Sequence, residues 1–124
     1  MTIRTHRIYD SDPPPQGVRV LIDRLWPRGI RSDDPRIDEW MKAVAPSNEL
    51  RRWYQHDPEK WPKFKCRYFE ELDENMAGVT SLLELTRRSD LVLLYGSRER
   101  ILNNASALKE YLEEKLPDHQ GSAP

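Results

Sequence analysis

The sequence predicts a small α/β domain with a mostly parallel sheet flanked by helices. Two aliphatic runs, at residues 18–22 and 91–95, are typical of strands that are covered on both faces. Roughly 70 residues with mainly helical periodicity separate them, and a long helical connection between buried strands usually makes those strands parallel. Because 124 residues suit one core, we expect residues 1–117 to form a single domain and residues 118–124 a flexible C-terminal tail.

The first third of the chain should contribute two strands and a helix. Residues 2–9 are rich in β-forming types, but their charges and imperfect alternation favour an edge strand. A proline-rich loop leads into the strand at 18–22, and Pro27 ends that strand because proline has no amide hydrogen to donate. Asp34 and Pro35 are a typical helix start. The predicted buried face of that helix comprises Ile37, Trp40, Met41 and Val44.

Four further helices and a central strand should follow, and the helix after Gly78 is expected to carry Val79, Leu82, Leu83 and Thr86 on one face. Ser47 and Asp57 each occupy a typical N-cap position, and Gly78 is expected to end the helix that follows Asp57. Residues 90–97 give the clearest strand pattern, and the last helix is expected from about residue 99 to Leu116. The helix after Asp57 should bury Trp61, Phe64, Tyr68, Leu72 and Met76, and the last helix should bury Ile101, Ala105, Leu108 and Leu112.

The composition argues against several function classes. A formal net charge of −1 gives no whole-molecule field towards nucleic acid or membranes, and no apolar stretch approaches the roughly 20 residues that span a bilayer. Cys66 is the one cysteine, and the first residues do not resemble a signal peptide, so a cytoplasmic location is the default. The sequence has neither metal-ligand spacing nor a conventional nucleotide loop, so we expect no metal and no cofactor.

Polar residues follow both predicted central strands, where parallel sheets usually bind ligands. In the first segment, residues 23–29, Arg24 and Arg28 could hold an anion through their forked donors. Trp26 could form a wall of the site, and Asp23 could orient an arginine. The purely structural alternative is that these residues pair with neighbouring helices, fill the core and make the turn.

The second segment, residues 95–104, runs from the end of the central strand into the last helix. Tyr95 would complete the wall, Arg98 would bind the anion, and Ser97 and Asn104 would add hydrogen bonds near the helix N-terminus. The alternative is that Ser97 only caps the helix and the asparagine faces water. If a reaction takes place, His56 or Asp23 would be its base, although a histidine in the position of His56 is more often a helix-end cap.

The leading hypothesis is therefore an α/β protein that binds a small phosphorylated or nucleotide-like anion. The alternative is a module that binds nucleic acid or a protein partner through the basic half of the chain, which contains the tryptophans. Residues 17–67 carry twelve Lys and Arg against eight Asp and Glu, whereas residues 70–118 carry six against eleven. Nucleic acid is the less favoured partner, because a binding groove usually needs more positive charge. The sequence does not predict an oligomeric state or a reaction.

Three separated motifs resemble the domain of unknown function 488 family, in particular its short, YeaO-like bacterial branch. The motifs are VLIDRLWPRG, WMKAVAPSNELRRWYQHDPEKWPKFKCRYFEEL and LVLLYGSRERILNNASALKEYL, within a resemblance that spans about Ile8 to Leu116. The family's Asp-Arg-Leu-Trp-Pro-Arg-Gly run matches residues 23–29. Where the family usually has Ala-Lys or Ala-Arg followed by Asp, this sequence has GSRER, with Glu99 near the position of the acid. The resemblance implies a compact α/β fold and a cytoplasmic bacterial protein, but no particular reaction.

Overall fold

The computed structural model describes residues 2–116, which form a four-stranded parallel sheet and four α-helices. The strands are β1 (Ile3–Arg7), β2 (Val18–Leu21), β3 (Glu39–Trp40) and β4 (Leu91–Tyr95). The helices are α1 (Asn48–Tyr54), α2 (Trp61–Asp73), α3 (Met76–Thr86) and α4 (Asn104–Lys115). The predicted fold class is confirmed. The predicted tail at 118–124 lies outside the described residues.

Strand β4 lies inside the sheet, whose order is β1-β4-β2-β3. It pairs in parallel with β1 on one side and β2 on the other, and Leu91 is the register partner of both Ile3 and Val18. All five β4 residues are buried, because both edges are paired and both faces are covered. The prediction that the two aliphatic strands are parallel is therefore confirmed, and they are neighbours. Strand β1 is an edge strand, also as predicted.

The helix predicted from Asp34 to Val44 is wrong. Both carboxylate oxygens of Asp34 accept hydrogen bonds from Arg36, whose backbone amide also donates to this carboxylate, so the segment forms a local turn. Asp38 then exchanges hydrogen bonds with Arg19 of β2. These contacts place the following two residues, Glu39 and Trp40, beside β2 as the short edge strand β3.

The boundaries of the middle helices differ partly from the prediction. Ser47 caps α1 as expected, but Asp57 caps a short 3-10 turn at 58–60 before α2 begins. Gly78 does not end a helix, because it lies inside α3, whose N-cap Asn75 accepts a hydrogen bond from the Gly78 amide. A Cβ atom at Gly78 would lie 2.8 Å from Val44 Cγ1, so the glycine is explained by close packing. Met76 consequently begins α3 and is 44% exposed, although it was predicted to be buried in the preceding helix.

The last helix begins later than predicted, at Asn104 instead of about residue 99. Its N-cap is Asn103, whose Oδ1 accepts a hydrogen bond from the Ser106 amide. In the preceding loop, the Glu99 carboxylate accepts hydrogen bonds from two backbone amides, which offers that backbone an alternative to helix formation. Ile101, predicted to be buried, is 72% exposed in this loop.

The two faces of the sheet are covered differently. The buried apolar residues of all four helices belong to one cluster, which includes Val20, Leu91 and Leu93 of the sheet. The opposite face carries a smaller cluster of Ile8, Leu21, Val92 and Leu94, covered by Trp26, Ile30 and Ile37. These three covering residues come from the irregular connection between β2 and β3. Within residues 2–116, no helix is both long and apolar enough to cross a membrane.

Candidate functional site

A cavity of about 550 Å³ lies at the edge of the sheet where the strands end. The connections after β1, β2 and β4 form one side of it, and α1 with neighbouring residues forms the other. The first side comprises Tyr9, residues 23–28, Gly96, Ser97, Asn103 and Asn104, and the second comprises Pro46, Asn48, Arg51, Arg52, Tyr54, His56 and Phe64. The two segments that were predicted to form a site, 23–29 and 95–104, thus both contribute to one cavity. Their binding of a ligand stays a prediction.

Asp23 joins the three elements that meet at the base of this site. Its Oδ2 accepts a hydrogen bond of 2.8 Å from the Gly96 amide, and its Oδ1 accepts one of 3.0 Å from Asn104 Nδ2. The ends of β2 and β4 are thereby linked to the first residue of α4. Burial raises the pKa of Asp23, and the hydrogen bonds from Asn104 and Gly96 act in the opposite direction. Its carboxylate therefore orients an amide and a loop, instead of the arginine that was predicted.

The two predicted arginines of the first segment have different surroundings. Arg24 is partly buried and donates to backbone carbonyls of the segment before α1, with Nε 3.2 Å from Pro46 O and Nη2 3.4 Å from Ala45 O. Arg28 is exposed, and no hydrogen bond or ion pair within residues 2–116 engages its guanidinium. Arg24 thus holds the wall together, while Arg28 has its donors available.

Trp26 serves both the second core cluster and the cavity wall. Its Nε1 donates to Ile30 O at 2.7 Å, and its ring meets Trp40 edge-to-face at 5.4 Å. Ile30 also packs against the second cluster, so the indole is fixed in place. Most contacts of Trp26 therefore agree with the alternative that it fills the core. Its side chain also lines the cavity.

The predicted residues of the second segment separate into two groups. Ser97 and Asn104 line the cavity, but Tyr95 and Arg98 are not among its lining residues. Tyr95 is 4% exposed because it lies on the same helix-covered face of β4 as Leu91 and Leu93, and burial raises its pKa. Arg98 is exposed in the loop before α4. Ser97 does not cap that helix, since its Oγ accepts from the Glu99 amide.

His56 lines the cavity from a strained turn at the end of α1. Gln55 and His56 have φ angles of 47° and 57°, so two consecutive residues that are not glycine adopt left-handed conformations. Such conformations cost on the order of 1 kcal/mol or more each. The imidazole lies near Tyr54, with ring centroids 5.7 Å apart. The candidate roles of His56 and Asp23 as a base stay predictions.

Sequence reasoning missed Arg51 and Arg52 of α1 and the aromatic residues Tyr9 and Tyr54. The pair of adjacent arginines was recognisable in the sequence, but no sequence pattern placed α1 beside the C-terminal ends of the strands. That placement follows from β3, because a short connection after Trp40 leads directly into α1. With β3 mistaken for a helix, the position of α1 could not be derived.

The charges around the cavity are strongly unequal. Four arginines line it, together with His56, whereas Asp23 is the one carboxylate among its lining residues. Both oxygens of that carboxylate already accept hydrogen bonds. The wall is completed by aromatic side chains, so it combines guanidinium donors with apolar surface. In the described part of the chain, no group of three His, Cys, Asp or Glu residues could hold a metal ion. The arrangement is suited to an anion that also has a less polar part.

Comparisons with known proteins place these features in a family context. A family model described as "Inactive DUF488-N3 subclade" matches residues 2–124. An uncharacterized protein of Mycobacterium tuberculosis, Rv3073c, is 44% identical over 110 residues, which cover 89% of this chain and 92% of the relative. The uncharacterized protein YeaO of Escherichia coli is 35% identical over 112 residues, covering 90% of this chain and 97% of the relative. No solved structure matches the chain. These matches agree with the family that the three sequence motifs indicated.

Proposed function

The chain belongs to the inactive DUF488-N3 subclade, and from that premise we propose that it binds a small phosphorylated or nucleotide-like anion without transforming it. The observation that carries the proposal is the set of four arginines around one cavity: Arg24, Arg28, Arg51 and Arg52. The single carboxylate of the lining is already engaged by two donors. An anion would therefore bind next to Arg28 and Arg52, whose guanidinium groups form no ion pair within residues 2–116.

Arginine suits this role because its planar guanidinium presents several donors that match phosphate oxygens. Arg28 and Arg52 are both exposed, and no hydrogen bond or ion pair in the described residues occupies their side chains. Arg51 donates to Asn48 within α1 and contributes positive charge beside Asp23. A cavity of about 550 Å³ lies within the usual range for small organic ligands and is larger than inorganic phosphate needs.

Titration calorimetry with inorganic pyrophosphate at low salt tests the proposal. We expect binding to the wild-type protein, and Arg28→Ala and Arg52→Ala should each weaken it by at least about tenfold, because a charged hydrogen bond contributes roughly 1.5–3 kcal/mol. Arg88→Ala is the matched control. Arg88 is exposed and lies three residues before β4 begins. It is therefore near the N-terminal ends of the strands, whereas the cavity lies at their C-terminal ends.

The result with Arg88→Ala decides between a site and a general charge effect. Equal weakening in all three variants would mean that pyrophosphate responds only to net charge. Absence of binding to pyrophosphate and to nucleotides alike would contradict the proposal. Folding of each variant is checked by its thermal unfolding, and neither Arg28 nor Arg52 has a described contact whose loss should unfold the protein.

The nucleic-acid alternative has weaker support from the tryptophans. The Trp53 ring is covered by cations of its own chain, with Arg67 at 4.5 Å and Lys60 at 5.1 Å from the ring centroid. Trp26 and Trp40 pack against each other. Binding of a single-stranded oligonucleotide that falls steeply with salt would nevertheless favour this alternative over the cavity proposal.

A cytoplasmic location is part of the proposal. Cys66 is an exposed free thiol, and a chain with one unpaired cysteine is typical of a reducing compartment. The relatives described above are bacterial proteins.

A further inference from the structure

The ring of Tyr9 is exposed at the cavity and yet held in place. It lies two residues after the end of the edge strand β1 and retains 40% exposure. Its hydroxyl donates to the backbone carbonyl of Arg28 at 2.8 Å. The guanidinium of Arg7 lies 5.1 Å from the ring centroid, over the ring. A large aromatic surface that is ordered and still accessible loses little conformational entropy when a ligand covers it.

The contacts that hold Tyr9 are themselves fixed. Arg7 Nε donates to the carbonyl of Ser97 at 2.7 Å, which ties this cation to the connection after β4. The edge of the Tyr9 ring lies close to Gly96, where a Cβ atom would stand 3.5 Å from Tyr9 Cε2. The ring is therefore part of the wall that joins β1, β2 and β4, and it is not a freely rotating surface residue.

The ring is adjacent to the anion-binding part of the cavity. Tyr9 is bonded to the backbone of Arg28, whose guanidinium is one of the unengaged donors. A single small ligand can therefore reach both the aromatic ring and a guanidinium. An inorganic anion would use only the arginines and would leave the aromatic part of the wall uncovered.

Beside the guanidinium donors, the cavity also contains a hydrogen-bond acceptor, the side-chain oxygen of Asn104. Asn104 directs its Nδ2 to Asp23 Oδ1 at 3.0 Å and to Ile22 O at 3.3 Å. No hydrogen bond within residues 2–116 occupies its Oδ1, so this oxygen can accept from a hydroxyl or an N–H group. Phosphate oxygens offer no such donor when they are ionised. A sugar hydroxyl or the exocyclic amine of a base does.

We propose that the ligand is a free nucleoside phosphate, whose base stacks on Tyr9 while Arg28 and Arg52 bind its phosphate. This inference rests on the proposed function and specifies its ligand. The acceptor of Asn104 would bind the sugar or the base. Stacking of a base on an aromatic side chain strengthens binding by roughly tenfold.

Calorimetry with adenosine monophosphate and ribose 5-phosphate isolates the contribution of the base. Both compounds carry the same sugar and one phosphate, so the arginines should treat them alike. We expect the wild-type protein to bind adenosine monophosphate at least tenfold more tightly. In Tyr9→Leu this preference should fall to less than threefold, while the affinity for ribose 5-phosphate changes by less than twofold. Tyr9→Phe keeps the ring and should keep most of the preference.

Each outcome bears on one of the two proposals. If ribose 5-phosphate binds as tightly as adenosine monophosphate, the stacking inference is overturned and the anion proposal stands. If pyrophosphate binds but neither of these compounds does, the inference is again overturned alone. If Tyr9→Leu weakens both compounds equally, the ring acts only by placing Arg28. A single-stranded oligoadenylate that binds more tightly than the monophosphate would overturn a free nucleotide as the ligand. The wild-type comparison needs no variant, so it holds even if Tyr9→Leu folds poorly.

Discussion

Asp23 shows how one side chain can link three elements around a cavity. Its carboxylate accepts from the Gly96 amide and from Asn104, so it links β2, β4 and α4. Burial is the largest influence on its pKa and raises it above the ordinary value of 3.8, although both hydrogen bonds favour the ionised form. The protein therefore keeps a carboxylate here at an electrostatic cost, because no uncharged side chain of this size accepts at both oxygens.

This raised pKa predicts how Asp23→Asn changes the pH dependence of stability. The unfolded chain loses the Asp23 proton near pH 3.8, whereas the folded protein loses it at higher pH. In the pH window that begins near 3.8 and extends upward, the folded state binds more protons than the unfolded chain. Ionisation of Asp23 therefore lowers the free energy of unfolding as pH rises through this window. The variant lacks this loss. Its stability relative to the wild type should therefore increase with pH through that window and then level off.

Urea unfolding of both proteins from about pH 4 to pH 7 measures this difference. The lost hydrogen bond shifts the comparison by an amount that does not depend on pH, so only the slope of the difference matters. Asp12→Asn, in the exposed proline-rich loop, is a control for removal of one carboxylate. A difference between Asp23→Asn and wild type that falls with rising pH would contradict the raised pKa.

At the level of elements, α1 depends on a double role of Ser47. Its Oγ accepts from the Leu50 amide at 3.1 Å and donates to Glu71 Oε2 at 2.7 Å, while the other Glu71 oxygen accepts from the Ser47 amide. The cap therefore fixes α1 against α2. Since α1 carries Arg51 and Arg52, this contact also sets the position of one side of the cavity.

Ser47→Ala should destabilise the protein by about 1–2 kcal/mol, because both the helix cap and the hydroxyl contact with Glu71 are lost. Ser81→Ala is the matched control. The Ser81 hydroxyl is exposed and donates only to the preceding turn of α3, so its removal should change stability by no more than about 0.5 kcal/mol. Chemical denaturation measures both values. An equal loss in the two variants would show that the cap does not fix α1.

The elements that the sequence predicted are those whose signals are local. The strands β2 and β4 and the capped helix α1 follow from aliphatic runs and from Ser47, and the structure contains all three. The helix predictions for the segments after Asp34 and before Asn104 were wrong for the same physical reason. Their carboxylates and amides bond to nearby backbone, which competes with the helix that the apolar spacing suggested.

The candidate site was predictable to the extent that it depends on topology. Parallel strands place the segments after β2 and β4 together, which identified Asp23, Arg24, Trp26 and Arg28. The contribution of Tyr9 depends on an edge strand with weak alternation. The arginines of α1 depend on β3, two residues whose pairing with β2 is specified by the Asp38 contacts with Arg19 and not by a strand pattern.

For the whole molecule, the unequal covering of the sheet implies unequal local stability. One face is covered by four helices and the other by the irregular connection between β2 and β3. The backbone of that connection makes mainly short-range turn hydrogen bonds, such as Ile30 N to Pro27 O and Asp34 N to Arg31 O. Few buried contacts and local bonds are the features of segments that open without global unfolding. The same segment contributes Arg28 to the cavity, so an anion bound as proposed should oppose local opening of this connection.

Hydrogen exchange followed by mass spectrometry should reveal that coupling. Without ligand, the amides of β4 should exchange most slowly and those of residues 27–37 much faster, because β4 is buried on both faces and paired at both edges. If pyrophosphate binds in the cavity as proposed, a saturating concentration should oppose local unfolding of the cavity wall, and exchange should slow in residues 23–30 and 96–104. Helix α3, which does not line the cavity, should be affected less. Uniform slowing across the chain would instead indicate that the anion stabilises the whole fold without engaging these connections.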